Sequence, residues 1–246
     1  ALDIPVTTGD SYTVMMAVQA IREAAQVMDI KMADATVAVV GATGSIGRVC
    51  AELLAGESAR VLLIARDGKK LEVLRDRLKL QARSELVVST KMDVLKEAQL
   101  ILTVTSAVHD VIRPEHLQPG SVVCDVARPR DVSAMVAAVR DDILVIDGGM
   151  VDVPGPVDFH FNFGFPDGKA YACMAETIAL ALEGRFEDYT VGKEITLGRV
   201  QEITAIAERH GFRMSGFRSF EREVTEGQIE AIRRNARNGR TYKVSQ

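Results

Sequence analysis

The chain reads as an α/β protein built on a doubly wound parallel sheet, with a helix before the sheet and more helices after it. Three observations predict this. Short apolar runs alternate with helical patterns, the mark of parallel strands buried on both faces. A glycine-punctuated turn follows the first run and opens a helix, which suits a doubly wound sheet. The chain has 246 residues, 47% hydrophobic and 26% charged, enough for one large domain or two smaller ones with real cores.

In chain order, Asp10 to Ile30 predicts a helix, because Val14, Val18, Ile21, Ala25 and Met28 recur at three- and four-residue steps. Asp10 or Ser11 is placed to cap its start. Six strands follow at Thr36–Val40, Arg60–Ala65, Glu85–Ser89, Leu100–Thr105, Ser121–Val126 and Ile143–Ile146. Between them lie helical stretches at Ser45–Ala55, Gly68–Gln81, near Val94–Ala98 and at Asp131–Arg140, with a turn around Pro114–Pro119. Residues Val151–Gly168 are rich in Pro, Gly and Phe and read as irregular loop. Phe159, Phe161, Phe163 and Phe165 alternate within it; a strand with one buried face is the favoured reading, an apolar channel the other. Helices are expected at Ala170–Glu183, Ile195–His210 and Thr225–Asn238. The domain division expected is a connecting helix at 1–33, a dinucleotide-binding unit at 34–150, and a loop plus C-terminal helices at 151–246.

Several function classes fall away on composition. A net charge of −4 argues against nucleic acid or an anionic membrane as partner. Three cysteines without paired spacing, no apolar stretch of spanning length and no leader pattern point to the cytoplasm. Four irregularly spaced histidines and scattered cysteines give no metal pattern, so no metal is expected. No G-x-S-x-G element suggests a hydrolase. Arg233, Arg234, Arg237, Arg240 and Lys243 read first as a solvated basic tail, and second as a contact for an acidic carrier protein or a phosphate.

The turn "GATGSIG" carries the first chemical signal. Gly41, Gly44 and Gly47 form G-x-x-G-x-x-G, which lets backbone N–H groups approach a pyrophosphate at a helix N-terminus. Gly41, Ala42, Thr43, Gly44, Ser45, Ile46 and Gly47 are therefore the expected phosphate grip of a Rossmann unit. The second strand ends "LLIAR", so Arg66 stands where NAD binders place an acid; a guanidinium there suits a 2′-phosphate, and NADPH is the cofactor expected. Thr105 and Ser106 end the fourth strand beside the expected nicotinamide, with His109 as a weaker acid–base candidate, and Gly149 joins the cofactor-contacting set.

The stretches "TTGDSYT", "ATVAVVGATGSIG", "LLIAR", "VIDGGMVDVPG", "YACMAETIALALEG", "VGKEITLGRVQEI" and "AERHGFR" run in order from Thr7 to Arg213. Together they resemble the long-chain acyl-ACP reductases, which form fatty aldehydes. The resemblance implies reduction of a fatty acyl thioester by NADPH through an acyl-cysteine intermediate, with an acyl carrier protein or acyl-CoA as donor. The family cysteine, in its Ala-Cys-x-Ala-Glu segment, falls at Cys173. The sizeable substrate region that family members carry before "TTG" is here six residues, so the first helix is expected to be a remnant of it. The chain also runs more than thirty residues past "AERHGFR", into the basic helix and tail.

The residues around Cys173 bear on that role. Pro166, Asp167 and Gly168 form a turn, so Cys173 is expected in the first turn or two of a helix, where the helix dipole favours a thiolate. Lys169 is expected to add positive charge nearby, and Ala172 and Ala175 to leave room for an acyl group. His160 is the candidate to activate the thiol or protonate the carbonyl, against a packed or half-exposed loop histidine. Glu176 is either a base or a solvated helix residue. Thr8, Asp10 and Ser11 either cap the first helix or return near the nicotinamide. Cys50 and Cys124 read as core. Two rival functions remain: an NADP-dependent dehydrogenase of the shikimate or amino-acid type without a covalent step, and a nucleotide-binding module without turnover. A homo-oligomer is compatible with the sequence.

Overall fold

Strand β1, Thr36–Val40, lies at the centre of a parallel sheet and shows why its neighbours are apolar throughout. Val37 and Val39 point into one core, Ala38 and Val40 into another, following the two-residue period of a strand. Both faces are covered, so the apolar run is unbroken. The other strands are β2 (Arg60–Ile64), β3 (Glu85–Ser89), β4 (Leu100–Thr103), β5 (Val122–Asp125) and β6 (Leu144–Asp147). Their spatial order is β3-β2-β1-β4-β5-β6, all parallel, with Val37 opposite Val61 on one side and Leu100 on the other. This is the doubly wound Rossmann order. The geometry comes from a computed structural model, which describes residues 4–192 and 194–238.

The helices flank this sheet. Helix α1 spans Asp10–Val27, α2 Ser45–Leu54, α3 Gly68–Leu78 and α4 Ala134–Val139. Helix α4 starts later than the sequence suggests because residues 131–132 are tied by backbone N–H bonds to Asp125. The stretch near Val94–Ala98 is a 3₁₀ turn, Met92–Glu97. Helix α1 is apolar on two sides. Val14, Val18 and Ile21 join the sheet core, while Tyr12 and Met16 join a second core.

That second core lies under a three-stranded antiparallel sheet. Its strands are β7 (Met150–Asp152), β8 (Lys169–Tyr171) and β9 (Arg213–Met214), ordered β8-β7-β9. Helices α5 (Ala172–Leu182) and α6 (Leu197–Arg209) pack on it through Ala175, Ala179, Ile203 and Ile206. A short hairpin, Arg218–Ser219 with Arg222–Glu223, leads to helix α7, Glu226–Arg237.

One expectation fails in this half. Residues 159–165 are not a strand: His160, Gly155, Gly164 and Gly168 have positive φ and turn the segment repeatedly. The phenylalanines stack on one another instead, Phe163 on Phe165 with centroids 5.5 Å apart, and Phe161 is 69% exposed.

Helix α7 fixes the place of the basic residues. Arg233 and Arg237 both pair with Asp29, just after α1. Asn235 donates to the Asp141 carbonyl, just before β6, and Ala236 lies against Gly120, just before β5. The helix thus sits at the N-terminal edge of the sheet, opposite the glycine turn. Arg240 and Lys243 lie outside the described residues.

Candidate active site

The glycine turn is shaped by three close approaches. Gly41 has φ +84°, and a Cβ there would lie 2.5 Å from the Val104 carbonyl oxygen. A Cβ on Gly47 would lie 2.3 Å from the Gly41 carbonyl oxygen, so only glycine lets α2 start this close to β1. The Gly44 N–H donates to the Gly41 oxygen at 2.9 Å and closes the turn. Helix α2 begins at Ser45, so the N–H groups of Ser45, Ile46 and Gly47 precede the first intrahelical partner and face the sheet's C-terminal edge. Ala42 is buried behind them. Thr43 faces a groove of about 340 Å³ lined by Arg48, Lys69, Lys70, Leu74 and Arg77. Arg66 is exposed at the end of β2 and makes no ion pair among the described residues, while Asp67 caps α3 by accepting from the Lys70 N–H. Open N–H groups, a turn only glycine can make and the nearby Lys69, Lys70 and Arg77 fit a dinucleotide phosphate.

At the end of β4, Thr105 is held rather than free. Its hydroxyl and its N–H both donate to Asp131, the N–H at 2.8 Å, and Thr103 donates to the same carboxylate at 2.6 Å. Asp125, last in β5, accepts from the N–H groups of Ala127, Asp131 and Val132. Burial pushes the Asp125 carboxyl up to about 6, with the Asp131 charge adding to the rise. Ser106 is exposed beside this cluster. His109 is exposed and lines a pocket with Arg113, Glu115 and Ser133.

Cys173 is the second residue of α5 and is exposed, whereas Cys50 and Cys124 are buried. The start of α5 is set by Gly149, at φ +83°, whose carbonyl accepts from the Ala172 N–H at 2.7 Å. The N–H groups at the helix start favour a thiolate here, but burial outweighs them. Partial burial raises the Cys173 thiol above its ordinary value, and the Asp10 and Glu176 charges push the same way. The N–H groups of Met174 and Cys173 pull it down. Lys169 does not supply the expected charge: its Nζ bonds Asp152 and Ser215, each at 2.6 Å. His160 lies in the exposed loop, its Nδ1 3.1 Å from Asp158, and among the described residues its ring makes no bond to Cys173.

What the structure brings to Cys173 is the segment before α1. A Cβ on Gly9, at φ +76°, would sit 2.3 Å from the Cys173 Cα and 2.5 Å from its Cβ. Residue 9 therefore rests directly on the cysteine, and no other residue type fits. Asp10 follows at once, and Ser45 Oγ, at the start of α2, lies 3.5 Å from its carboxylate. Burial and the Glu176 charge raise the Asp10 carboxyl, against hydrogen bonds from Ser45 and Thr8.

Glu176 is neither a free base nor solvated. It is fully buried and accepts from Thr7 Oγ1 at 2.5 Å, Tyr12 N at 2.8 Å and Thr190 Oγ1 at 2.8 Å. Thr190 also bonds Ser11 at 2.7 Å. One carboxylate thus clamps the start of α1 to α5. The glycine of "TTGD" signals this closeness in the sequence; the partner across the fold leaves no local sign.

A model of the shikimate/quinate 5-dehydrogenase family matches residues 22–147, about half of the chain. Aminotransferase PigE of Serratia sp. is 36% identical over 236 residues, 94% of this chain and 27% of the relative. The long-chain acyl-[acyl-carrier-protein] reductase of Synechococcus elongatus is 31% identical over 214 residues, 84% of this chain and 61% of the relative. The chain thus spans about a quarter of the first relative and three fifths of the second. Among solved structures, glutamyl-tRNA reductase from Methanopyrus kandleri is 18% identical over 90% of this chain and 43% of that one, with a TM-score of 0.44. By the match to its nucleotide-binding half, the chain belongs to the shikimate/quinate 5-dehydrogenase family, among the NAD(P)-dependent oxidoreductases.

Proposed function

We propose that the protein reduces a fatty acyl thioester to an aldehyde with NADPH, through an acyl group carried on Cys173. The observation that carries this reading is the contact of Gly9 with Cys173 beside the first turn of α2. An exposed thiol lies there next to the phosphate grip, where a bound cofactor and a thioester can meet. When bound, NADPH supplies the hydride. The chain's own residues do the rest. Gly41, Ala42 and Gly44 shape the turn, their N–H groups bonded to the Ile64 and Gly41 carbonyls, while the N–H groups of Thr43, Ser45, Ile46 and Gly47 hold the pyrophosphate and Arg66 takes the 2′-phosphate. Thr105, Ser106 and Gly149 border the nicotinamide end. Cys173 attacks the thioester carbonyl and separates acyl transfer from reduction, two easier steps than one. The reading relies on Cys173 and not on His160, whose side chain is 86% exposed in its loop. The acyl donor is an acyl carrier protein or acyl-CoA, as the 31% identity to the acyl-carrier-protein reductase supports.

A second reading has its own observation. A dehydrogenase of the shikimate or amino-acid type needs a lysine–aspartate or similar acid–base pair near the nicotinamide, and Lys169 and Asp152 form an ion pair across β8 and β7. With the family match, this favours a keto-acid dehydrogenase without a covalent step. One assay separates the two. NADPH is mixed with acyl-CoAs, acyl carrier protein thioesters and keto acids, and absorbance loss is followed with an aldehyde trap. Thioester turnover that is lost in Cys173→Ala supports the first reading. Keto-acid turnover that survives in Cys173→Ala supports the second and ends the first.

A further inference from the structure

We propose that Asp10 holds and moves the proton of the Cys173 thiol during acyl transfer. The inference rests on the thioester reading above and assigns a proton-handling group to it.

The placement is specific. Gly9 is buried against Cys173, so the residue that follows it starts α1 at the cysteine's side. Two carboxylates act on the thiol, Asp10 from α1 and Glu176 from α5. Glu176 is filled by three donors, from Thr7, Tyr12 and Thr190, and is fully buried. Asp10 is half-buried and receives only hydroxyl bonds, from Ser45 at 3.5 Å and from Thr8. It has no ion-pair partner among the described residues. Helix α2 presents only the Ser45 hydroxyl to it, and Lys169 is held by Asp152. Of the two carboxylates whose charges act on the thiol, Asp10 is therefore the one with acceptor room to spare, and it directly follows the glycine that rests on Cys173. Its carboxyl is also raised by burial, which brings it nearer the range where a carboxylate can take and return a proton.

The step balances within the site. The Cys173 S–H proton passes to the Asp10 carboxylate as the Cys173 sulfur bonds to the thioester carbonyl carbon. The donor's C–S bond then breaks, and its thiolate takes the proton from the Asp10 carboxylic acid. Nothing is oxidised or reduced in this step, and Asp10 ends as it began.

The test uses the whole chain without NADPH and two readouts on the Cys173 peptide by mass spectrometry. One is alkylation by iodoacetamide between pH 6 and 9; the other is acyl transfer from an acyl-CoA over the same range. Removing the carboxylate charge eases thiolate formation, so Asp10→Asn should alkylate several-fold faster than wild type near pH 7. Acyl transfer should instead fall by ~100-fold, the scale of a lost general acid–base group. Its pH profile should also lose the limb that Asp10 sets, and Asp10→Glu should recover part of the rate. A purely structural role would move both rates together, and that result, or no change in either, overturns the proposal. If wild type takes no acyl group while alkylation still quickens in Asp10→Asn, the thioester reading has failed and the carboxylate–thiol coupling stands. If wild type is acylated and Asp10→Asn matches it, only the Asp10 role has failed.

Discussion

At the residue scale, the chemistry depends on which charges reach which atoms. Arg66 is exposed at the end of β2, beside a groove that adds Lys69, Lys70 and Arg77. Arg66→Asp should raise KM for NADPH by ~10- to 100-fold, the scale of a lost hydrogen bond between charged groups, and change KM for NADH far less. Steady-state kinetics with both cofactors checks this, and equal effects would remove Arg66 from the phosphate site. Asp125 makes a prediction of opposite kind. Its carboxyl titrates near 3.8 unfolded and at about 6 folded, so the native state binds the proton more tightly. Stability therefore declines as pH rises from about 4 to about 6, by on the order of 2 kcal/mol from this group. Relative to Asp125→Asn, wild type should gain about that much between pH 7 and pH 4 in urea unfolding. A constant gap between the two would show that the buried charge carries no such cost. The acid–base behaviour of these side chains is not legible in the sequence. Lys169 is expected there to lower the Cys173 pKa, but its partner Asp152 stands opposite it only once β7 and β8 pair.

At the element scale, helix α1 joins the two cores. Its apolar period is plain in the sequence, and the helix forms at Asp10–Val27 within the expected Asp10–Ile30. Its second packing face is not visible there, because the residues that meet it, such as Ala175 and Ala179 on α5, lie more than 150 positions away. The clamp at Glu176 belongs to this scale. Glu176→Ala leaves the Tyr12 N–H and the Thr7 and Thr190 hydroxyls without their shared acceptor in a buried site. The expected loss is about 2–4 kcal/mol in urea unfolding, from several unmet donors at once. Its acylation rate should fall too, through displacement of Gly9 and Asp10 rather than loss of a reacting group. A stability change under about 0.5 kcal/mol would mean that the clamp does not hold α1 to α5. The phenylalanine loop shows the reverse failure of sequence reading. Its alternation satisfies the strand period, but Gly155, Gly164 and Gly168 and the φ of His160 break the backbone, and the rings pack on each other.

At the scale of the whole molecule, sheet order and strand direction gather the chemistry at one edge. The glycine turn, the Thr105 cluster and the start of α5 all lie at or beyond the C-terminal ends of the strands. Six apolar runs and one glycine turn are enough to read that architecture, because both follow from burial on two faces and from a turn only glycine can make. The basic helix α7 is at the other edge, where Arg233 and Arg237 pair with Asp29. The family match ends at residue 147, so the half that holds Cys173 rests on its own geometry and on the two partial relatives.

The central claim is that Cys173 carries the acyl group, and one measurement addresses it without a cofactor. The protein is incubated with an acyl-CoA, digested and read by mass spectrometry. The account predicts one acyl adduct on the Cys173 peptide in wild type and none in Cys173→Ser. An adduct that persists in Cys173→Ser, or one found on Cys50, would contradict it.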